Sequence, residues 1–382
     1  MTLDRLSRFQ RYLSSRDLAG AVIRRPANVL YLTGYYAGLE RPAFAIVGPD
    51  AVVVVSPNPL VVVGSTSGDV VQPGLAAGLD WVGYRAPGGT VDRVAEVDAL
   101  SSVALGDALI RAGLRGKRVG VELGDVSARH AAAVAEVATV APLDEHLAAM
   151  RRIKEPEELA LIRTAVAAND HGFGAVAMVL AAGVSEFTIQ RELVDQMQKV
   201  AFVPIDVSGP NNAFISGPRT MLLAAGATDR RVEHGDLMIV DINPVIRYYK
   251  GDTTRTFVVG PPTAEQQKVH DTLVRGLESA EKLAKPGVKA SAVANALQEP
   301  IIAAGYGGLI VHGGHGLGLE HLERPYIIPG DDMPLEEGMV IALEPGLYLP
   351  GIGGLRIEDD YLVTANGVEV LSHYPRALVV CW

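Results

Sequence analysis

The segment Leu237–Val259, LMIVDINPVIRYYKGDTTRTFVV, has the pattern of a β-hairpin with a carboxylate on each arm. Asp241 closes the first apolar run, and Asp252 precedes the second. The two aspartates are eleven residues apart, so a hairpin folded symmetrically about Ile246 and Arg247 would place them directly opposite each other. Carboxylates that face each other across a hairpin repel, and hard divalent cations take oxygen ligands. The segment therefore predicts a cation bound between the two strands.

A second segment, near the C-terminus, repeats this arrangement. The runs Met339–Tyr348 and Leu355–Thr364 are rich in strand-forming residues and flank a turn of proline and glycine residues. Glu344 and Glu358 are fourteen residues apart and symmetric about Gly351. We expect these two glutamates to face each other as well.

Strand alternation and glycine content indicate further groups at the same place. Arg356 lies two residues before Glu358 and so on the same face of its strand, whereas Asp359 points to the opposite face. Between the hairpins, His315 has a glycine on each side, which lets the ring approach a metal. Four carboxylates and one imidazole suit a pair of divalent ions such as Mn, Fe, Co or Zn. The alternative, in which each acid faces solvent at a turn or strand end, is disfavoured by the matched pair of hairpins.

These motifs resemble those of the pita-bread metallohydrolase family, which includes prolidase, aminopeptidase P, methionine aminopeptidase and creatinase. The matching segments are VDINPVIRYYKGDTTRTF, GGHGLGLE, ALEPGLYLPGIGGLRIED and, upstream, MRRIKEPEELALIRTA. The resemblance implies that two divalent ions per chain are held by Asp241, Asp252, His315, Glu344 and Glu358. It also implies that Glu344 shuttles the proton of a nucleophilic water, and Thr254 has the position expected of a residue that supports a ligand.

The order of elements favours two domains. Residues 1–148 have the pattern of alternating helices and strands, hence an α/β domain, and the resemblance implies a creatinase-like N-terminal domain that supports a homodimer. We expect residues 149–382 to form an α+β pita-bread catalytic domain, with a curved antiparallel sheet and helices on its convex face. The paired hairpins also suggest a duplication in which each half supplies helices and one hairpin.

Composition limits the partners and the compartment. The 382 residues carry a formal net charge of −10, with a pI near 5.4, which argues against nucleic acid or an anionic membrane as a partner. The single cysteine, Cys381, allows no intramolecular disulfide, as expected in a reducing cytoplasm. The N-terminal residues show no continuous apolar stretch, so we expect no signal peptide and a cytoplasmic protein.

The chain departs from the peptidase pattern at two accessory histidines. The family resemblance implies one histidine shortly before the first aspartate strand, where this chain has Ala224 or Ser216. It implies a second one seven residues after the metal-binding histidine, where this chain has Leu322, with His321 one residue earlier. A shift of one residue usually redirects a side chain. Since a lost donor to the developing oxyanion costs about 10²–10³ in rate, we expect weak or absent Xaa-Pro dipeptidase activity unless His312 or His321 takes over.

The candidate catalytic residues are therefore Glu344, His312 and His321. Two arginines are candidates for substrate binding: Arg356, from its place beside the glutamates, and Arg219, in a loop that is longer than its usual counterpart. An arginine in a cleft would pair with a substrate carboxylate. The alternative is a solvated loop arginine.

The function that these residues favour is dinuclear metal-dependent hydrolysis of a C–N bond in a small, dipeptide-like substrate, as in Xaa-Pro dipeptidases. One alternative is a specialised member of the family, either a metal-dependent lyase or a hydrolase of a small non-peptide amide. Another is a non-catalytic peptide-binding module, which the presence of all five ligands disfavours.

Overall fold

The structure is a computed structural model that describes residues 2–36, 42–49, 51–57, 79–84, 94–143, 145–200, 204–207, 212–309 and 311–382. The chain divides at residue 150 into two compact units. Within the described ranges, no helix combines the length and the apolar character that crossing a bilayer requires.

The N-terminal unit is an α/β layer built on a six-stranded mixed sheet. Its elements are α1 (Thr2–Ser15), β1 (Gly20–Ile23), α2 (Pro26–Thr33), β2 (Phe44–Val47), β3 (Val52–Pro57), β4 (Asp80–Tyr84), α3 (Val94–Arg111), β5 (Arg118–Val121), α4 (Ala128–Val137), β6 (Thr139–Pro142) and α5 (His146–Arg152), which reaches the boundary between the units. The strand order is β4-β3-β2-β1-β5-β6, with β1 parallel to β5 and antiparallel to β2. Its core is formed by continuous apolar strands, as expected of strands buried on both faces. The α/β prediction is confirmed.

The C-terminal unit begins with two helices and then alternates hairpins with a second pair of helices. Its elements are α6 (Pro156–Val179), α7 (Glu186–Val200), β7 (Ala213–Ser216), a 3₁₀ turn (Gly217–Met221), β8 (Leu237–Ile242), β9 (Val245–Ile246), β10 (Tyr249–Lys250), β11 (Thr253–Val259), α8 (Ala264–Leu283), α9 (Ala290–Ala303), β12 (Gly314–Gly316), β13 (Glu323–Tyr326), β14 (Val340–Leu343), β15 (Gly346–Leu349), β16 (Gly353–Arg356), β17 (Asp359–Thr364), β18 (Gly367–Val370) and β19 (Val379–Cys381).

This unit contains the same arrangement twice. Helices α6 and α7 precede strands β7, β8 and β11, which pair antiparallel in that order. Helices α8 and α9 precede strands β12, β14 and β17, which pair in the same way. The expected two halves, each with helices and a hairpin, are therefore present, and a bridge between Thr254 and Glu358 connects their sheets.

The helices of each half pack on one face of its sheet. In the first half, Phe173 of α6 and Ile189 of α7 are buried with Val240 and Phe257. In the second half, the apolar side chains of α8 and α9 are buried with those of β14. Because side chains alternate along a strand, Asp241 points to the face opposite Val240. The face away from the helices is thus the one that receives the acids.

The register of the first hairpin corrects one prediction. Asp241 pairs with Thr254, so Asp252 lies diagonal to Asp241 and not directly opposite it. The reason is the turn, which is centred one residue later than symmetry about the aspartates requires. Arg247 and Tyr248 have φ of 46° and 75°, the left-handed pair that a two-residue type I′ turn uses. Both aspartates still lie on one face, because Asp252 and Thr254 are two residues apart.

The second hairpin has the predicted register. Gly346 pairs with Arg356 in β15 and β16, and β14 and β17 continue the same register. Glu344 and Glu358 lie between these two ladders and are therefore aligned across the hairpin.

Candidate metal centre

The five side chains predicted as ligands lie together on the face away from the helices, and all but the partly buried Glu344 are at most 6% exposed. Three triads of side chains place one ligand atom each within 4.8 Å of the others: Asp252, His315 and His321; His315, Glu344 and Glu358; Asp241, Asp252 and Glu358. Asp252, His315 and Glu358 each belong to two triads. The arrangement is therefore one continuous cluster of oxygen and nitrogen donors.

His315 is oriented as a metal ligand would be. Its Nε2 lies 3.4 Å from Asp252 Oδ2 and 3.3 Å from Glu344 Oε1. Its Nδ1 lies 2.9 Å from the carbonyl oxygen of Gly316, a contact that places the ring proton on Nδ1. In the neutral ring, Nε2 is then the unprotonated nitrogen that a metal requires.

The glycines on either side of His315 are required by the sheet and not by access to the metal. A Cβ at Gly314 would lie 2.0 Å from the carbonyl oxygen of Ala342, and a Cβ at Gly316 would lie 2.6 Å from that of Arg324. Strand β12 is thus held closely between its two neighbours, and this packing fixes the position of His315.

Three of the acids accept a side-chain hydrogen bond at only one carboxylate oxygen. Arg356 donates to Asp241 Oδ2, Asn243 donates to Asp252 Oδ1, and Thr254 donates to Glu358 Oε2. The second oxygens, Asp241 Oδ1, Asp252 Oδ2 and Glu358 Oε1, are buried and have no hydrogen-bond partner among the described residues. Buried polar atoms are nearly always paired. These orphaned oxygens, together with the imidazole, fit divalent cations.

Burial and the neighbouring charged groups shift the pKa values of these acids. Burial raises the pKa of Asp241 to about 7, even though Arg356 acts to lower it. Burial and the neighbouring carboxylates raise the pKa of Glu358 well above its usual range. Burial also acts to raise the pKa of Glu344, but the facing histidines outweigh it and hold that pKa below its usual range. Carboxylates this close resist joint ionisation, and a divalent cation removes the conflict.

Both accessory histidines face the cluster. His312 Nδ1 lies 3.1 Å from Glu344 Oε1, and His321 Nδ1 lies 3.1 Å from Asp252 Oδ2. The expected redirection of His321 by its one-residue shift is wrong: its ring reaches the acids, while Leu322 is 46% exposed. The two residues lie in a loop between β12 and β13, where the alternation of a strand does not apply.

The two candidate substrate-binding arginines differ. The guanidinium of Arg356 contacts Asp241, and its Nη1 lies 2.9 Å from the hydroxyl oxygen of Tyr348. Arg219 instead pairs with the fully buried Glu186. A buried carboxylate is costly without a cation, which accounts for this pairing. In this structure the guanidinium of Arg219 is engaged by Glu186, and its role in substrate binding stays a prediction.

The structure also distinguishes the two positions considered for the missing histidine, Ser216 and Ala224. Ser216 donates its hydroxyl to Glu186 and so belongs to the network that holds Arg219. Ala224 follows Leu223, whose carbonyl oxygen accepts from Arg356 Nη1 at 3.1 Å. Ala224 is therefore adjacent to a residue that contacts Arg356.

Three supporting residues were missed in the sequence. Asn243 binds Asp252, Asp360 Oδ2 accepts from the backbone N–H of Asp252 at 2.8 Å, and Tyr348 accepts from the arginine of the second hairpin. Asn243 and Asp360 each lie two residues after a predicted ligand, so strand alternation could have found them. Tyr348 lies diagonally across the second hairpin from Arg356, because Gly346 pairs with Arg356, so the predicted register could have found it as well.

Comparisons with known proteins agree with this geometry. A model of metallopeptidase family M24 matches residues 160–365, and a model of the creatinase/prolidase N-terminal domain matches residues 5–153. The first match alone covers more than half of the chain.

Individual relatives are similar over long stretches. The Xaa-Pro dipeptidase of Pyrococcus furiosus is 35% identical over 243 residues, which cover 62% of this chain and 68% of that protein. A Mycobacterium tuberculosis protein named probable dipeptidase PepE is 31% identical over 378 residues, or 95% of this chain and 92% of the relative. The structure of an Xaa-Pro dipeptidase from Bacillus anthracis superimposes with a TM-score of 0.83 at 23% identity, over 100% of both chains. The expected pita-bread fold is confirmed.

Proposed function

The chain belongs to metallopeptidase family M24, and on that basis we propose that it hydrolyses the peptide bond of dipeptides, with Xaa-Pro dipeptides as the substrate class. As a member of this family it is a metallohydrolase that uses divalent metal ions. The observation that carries the proposal is the set of orphaned buried oxygens that face His315. A peptide-binding module would have no need of these costly groups.

We propose two ions per chain, held by Asp241, Asp252, His315, Glu344 and Glu358. Three residues belong to two triads each, and of these Asp252 and Glu358 are carboxylates with two oxygens, whereas His315 offers one ring nitrogen. This supports Asp252 and Glu358 as the shared ligands. Asp241 would complete one position, and His315 and Glu344 the other. When bound, the ions supply Lewis acidity, which acidifies a water and polarises the scissile carbonyl.

The protein groups then handle the proton and the substrate. Glu344 is kept ionised by its facing histidines, so it is ready to accept a proton from the attacking water and to return it to the leaving amine. His312, 3.1 Å from Glu344, would orient this carboxylate and exchange the proton with it. Arg356 is already bound to Asp241 and Tyr348. Its contribution to substrate binding is therefore to hold these two groups in place.

The accessory histidines determine the rate of Xaa-Pro dipeptide hydrolysis that we expect. Sequence alone favours weak Xaa-Pro activity unless His312 or His321 takes over, and the contacts of both rings with the acids support that takeover. The other donor is still absent, because neither Ala224 nor Ser216 carries an imidazole. We therefore expect Xaa-Pro dipeptidase activity that is real but below that of an enzyme with both donors.

The test is a kinetic comparison on purified protein loaded with Mn or Co. We expect Ala-Pro and Gly-Pro to be cleaved faster than Ala-Ala and faster than small N-alkylated amides. Cleavage of the amides alone would favour the specialised hydrolase. Elimination products would favour the lyase, and bound but intact peptide would favour the binding module.

The remaining parts of the proposal concern assembly, compartment and metal. We propose a cytoplasmic homodimer with manganese among its working metals. Light scattering at micromolar concentration should give twice the 40.4 kDa chain mass. A fully active monomer would remove the proposed role of the N-terminal domain in dimer formation.

A further inference from the structure

Two histidines near the cluster, His312 and His321, have a buried Nδ1 with no hydrogen-bond partner among the described residues. The neighbour of His321 Nδ1 is Asp252 Oδ2, 3.1 Å away, which is also buried and has no partner within the described ranges. The two atoms are near enough to share a proton but are not aligned to do so. Buried polar atoms are nearly always paired. His321 Nδ1 and Asp252 Oδ2 therefore require a third group between them.

His315 also lies next to the position that this third group would occupy. His315 Nε2 lies 3.4 Å from the same Asp252 oxygen, and the three ligand atoms lie within 4.8 Å of one another. The two imidazole rings are 5.0 Å apart at their centroids. Metal–ligand bonds of about 2.0–2.2 Å place neighbouring ligands about 3.0–3.5 Å apart. The distances from Asp252 Oδ2 to His315 Nε2 and to His321 Nδ1, 3.4 and 3.1 Å, are those expected between two ligands of one ion.

From this geometry we propose that His321 Nδ1 is a direct metal ligand, so that one of the two metal positions takes two imidazoles. The inference rests on the proposed dinuclear site and deepens it. His321 then acts on the reaction by binding the ion that Asp252 and His315 also bind.

The contrast with His312 supports this assignment. His312 Nδ1 lies 3.1 Å from Glu344 Oε1, and His312 belongs to none of the three triads found among the described residues. One carboxylate neighbour suits a histidine that orients or protonates that carboxylate. Two ligand neighbours, as His321 has, suit a histidine that completes a coordination sphere.

The loop that carries His321 is firmly anchored. Glu323, two residues later, has a side chain only 5% exposed and accepts from Arg151 Nη2 at 2.6 Å and from the backbone N–H of Glu320 at 3.1 Å. Lys154 Nζ adds a contact at 3.4 Å. On the other side, the amide of Asn243 holds Asp252 Oδ1 and so aims Oδ2 at His321. Both partners are thus positioned before any ion binds.

The inference has a consequence for metal choice. Imidazole suits Fe, Co, Ni and Zn, whereas Mn prefers oxygen ligands. A position with two imidazoles should therefore favour Co over Mn more strongly than a position with one. Removing His321 should reduce that preference.

The test measures metal binding and not turnover. Apoprotein is titrated with Co²⁺ and with Mn²⁺ by calorimetry, and the hyperfine-shifted imidazole resonances of the Co²⁺ form are counted by NMR. The variants are His321→Ala, His321→Asn, His321→Gln and, as the matched control, His312→Ala. The Asn amide lies where Nδ1 lies in histidine, whereas the Gln amide lies nearer to Nε2.

We expect His321→Ala to weaken one of the two Co²⁺ sites by at least the factor of about 10–100 that loss of a supporting residue costs, and Mn²⁺ binding by less. One shifted imidazole should remain of two, while His312→Ala keeps both. His321→Asn should recover part of the affinity, and His321→Gln should not. Unchanged Co²⁺ affinity and two shifted imidazoles in folded His321→Ala would overturn the inference. Fewer than two Co²⁺ sites in the wild-type protein would instead refute the proposed dinuclear centre.

Discussion

The guanidinium of Arg356 binds the carboxylate of Asp241 although the two residues belong to different hairpins. Both residues are at most 7% exposed. Each charge therefore offsets most of the free-energy cost of burying the other. This ion pair also connects the second hairpin to the first at the edge of the cluster.

Removing this arginine should destabilise the protein most when metal is absent. Breaking a buried ion pair costs about 3–5 kcal/mol, and each kcal/mol lowers the melting temperature of a unit of this size by about 2–4 °C. We expect Arg356→Ala to lower the melting temperature of chelator-treated protein by these amounts and that of metal-loaded protein by less. Differential scanning calorimetry of both forms measures this, with Arg356→Lys as the charge-conserving control. Equal losses with and without metal would argue against a cation beside Asp241.

Asp252 is expected to be the ligand whose loss removes most metal, because it belongs to two triads and its free oxygen faces both histidines. Asp252→Ala should bring the metal content below one ion per chain after dialysis and abolish hydrolysis. Elemental analysis decides the question. Asp332→Ala is the matched control, since that aspartate is paired with Lys289 at the surface and its loss should leave both ions bound. Two ions retained in Asp252→Ala would exclude this residue as a shared ligand.

Ala224 should be a position where activity can be gained. It is exposed and adjacent to the residue whose carbonyl oxygen binds Arg356. Because one donor to an oxyanion contributes about 10²–10³ in rate, we expect Ala224→His to raise kcat on Ala-Pro by tenfold or more at unchanged metal content. Ser216→His is the comparison, and it should not do so, because Ser216 is bound to Glu186. A gain in the second variant and not in the first would reverse the assignment of the missing position.

His270 on α8 should make the protein acid-sensitive. Burial lowers its pKa to about 4, from an ordinary value of 6.5; Arg255 also acts to lower it, and Asp271 opposes the shift. The unfolded chain therefore binds the proton more readily between pH 6.5 and 4, so stability falls as the pH falls through that window. The slope from this group is at most about 1.4 kcal/mol per pH unit. Melting temperatures measured from pH 7 to 4 should fall less steeply in His270→Gln, whereas His171→Gln, at an exposed site on α6, should match the wild type. Parallel profiles for all three proteins would contradict this account.

The sequence by itself determined the two hairpins and the acids that they bring together. Side chains alternate along a strand with a period of two, so the predicted register places Asp241 and Asp252 on one face, and symmetry about Gly351 aligns Glu344 with Glu358. These are local rules that hold wherever the strands lie. The same rules, applied to Asn243 and Asp360, would have found two of the supporting residues.

Only the tertiary structure decided the features that depend on turns and on distant partners. The register of the first hairpin is shifted because Arg247 and Tyr248 adopt left-handed backbone conformations. The sequence of that turn does not predict these conformations. Arg219 is held by Glu186, 33 residues earlier in the chain. His321 faces the acids because its loop is anchored through Glu323 to Arg151. A local pattern specifies which face a strand residue occupies, but the direction of a loop side chain depends on contacts made by residues far away in the sequence.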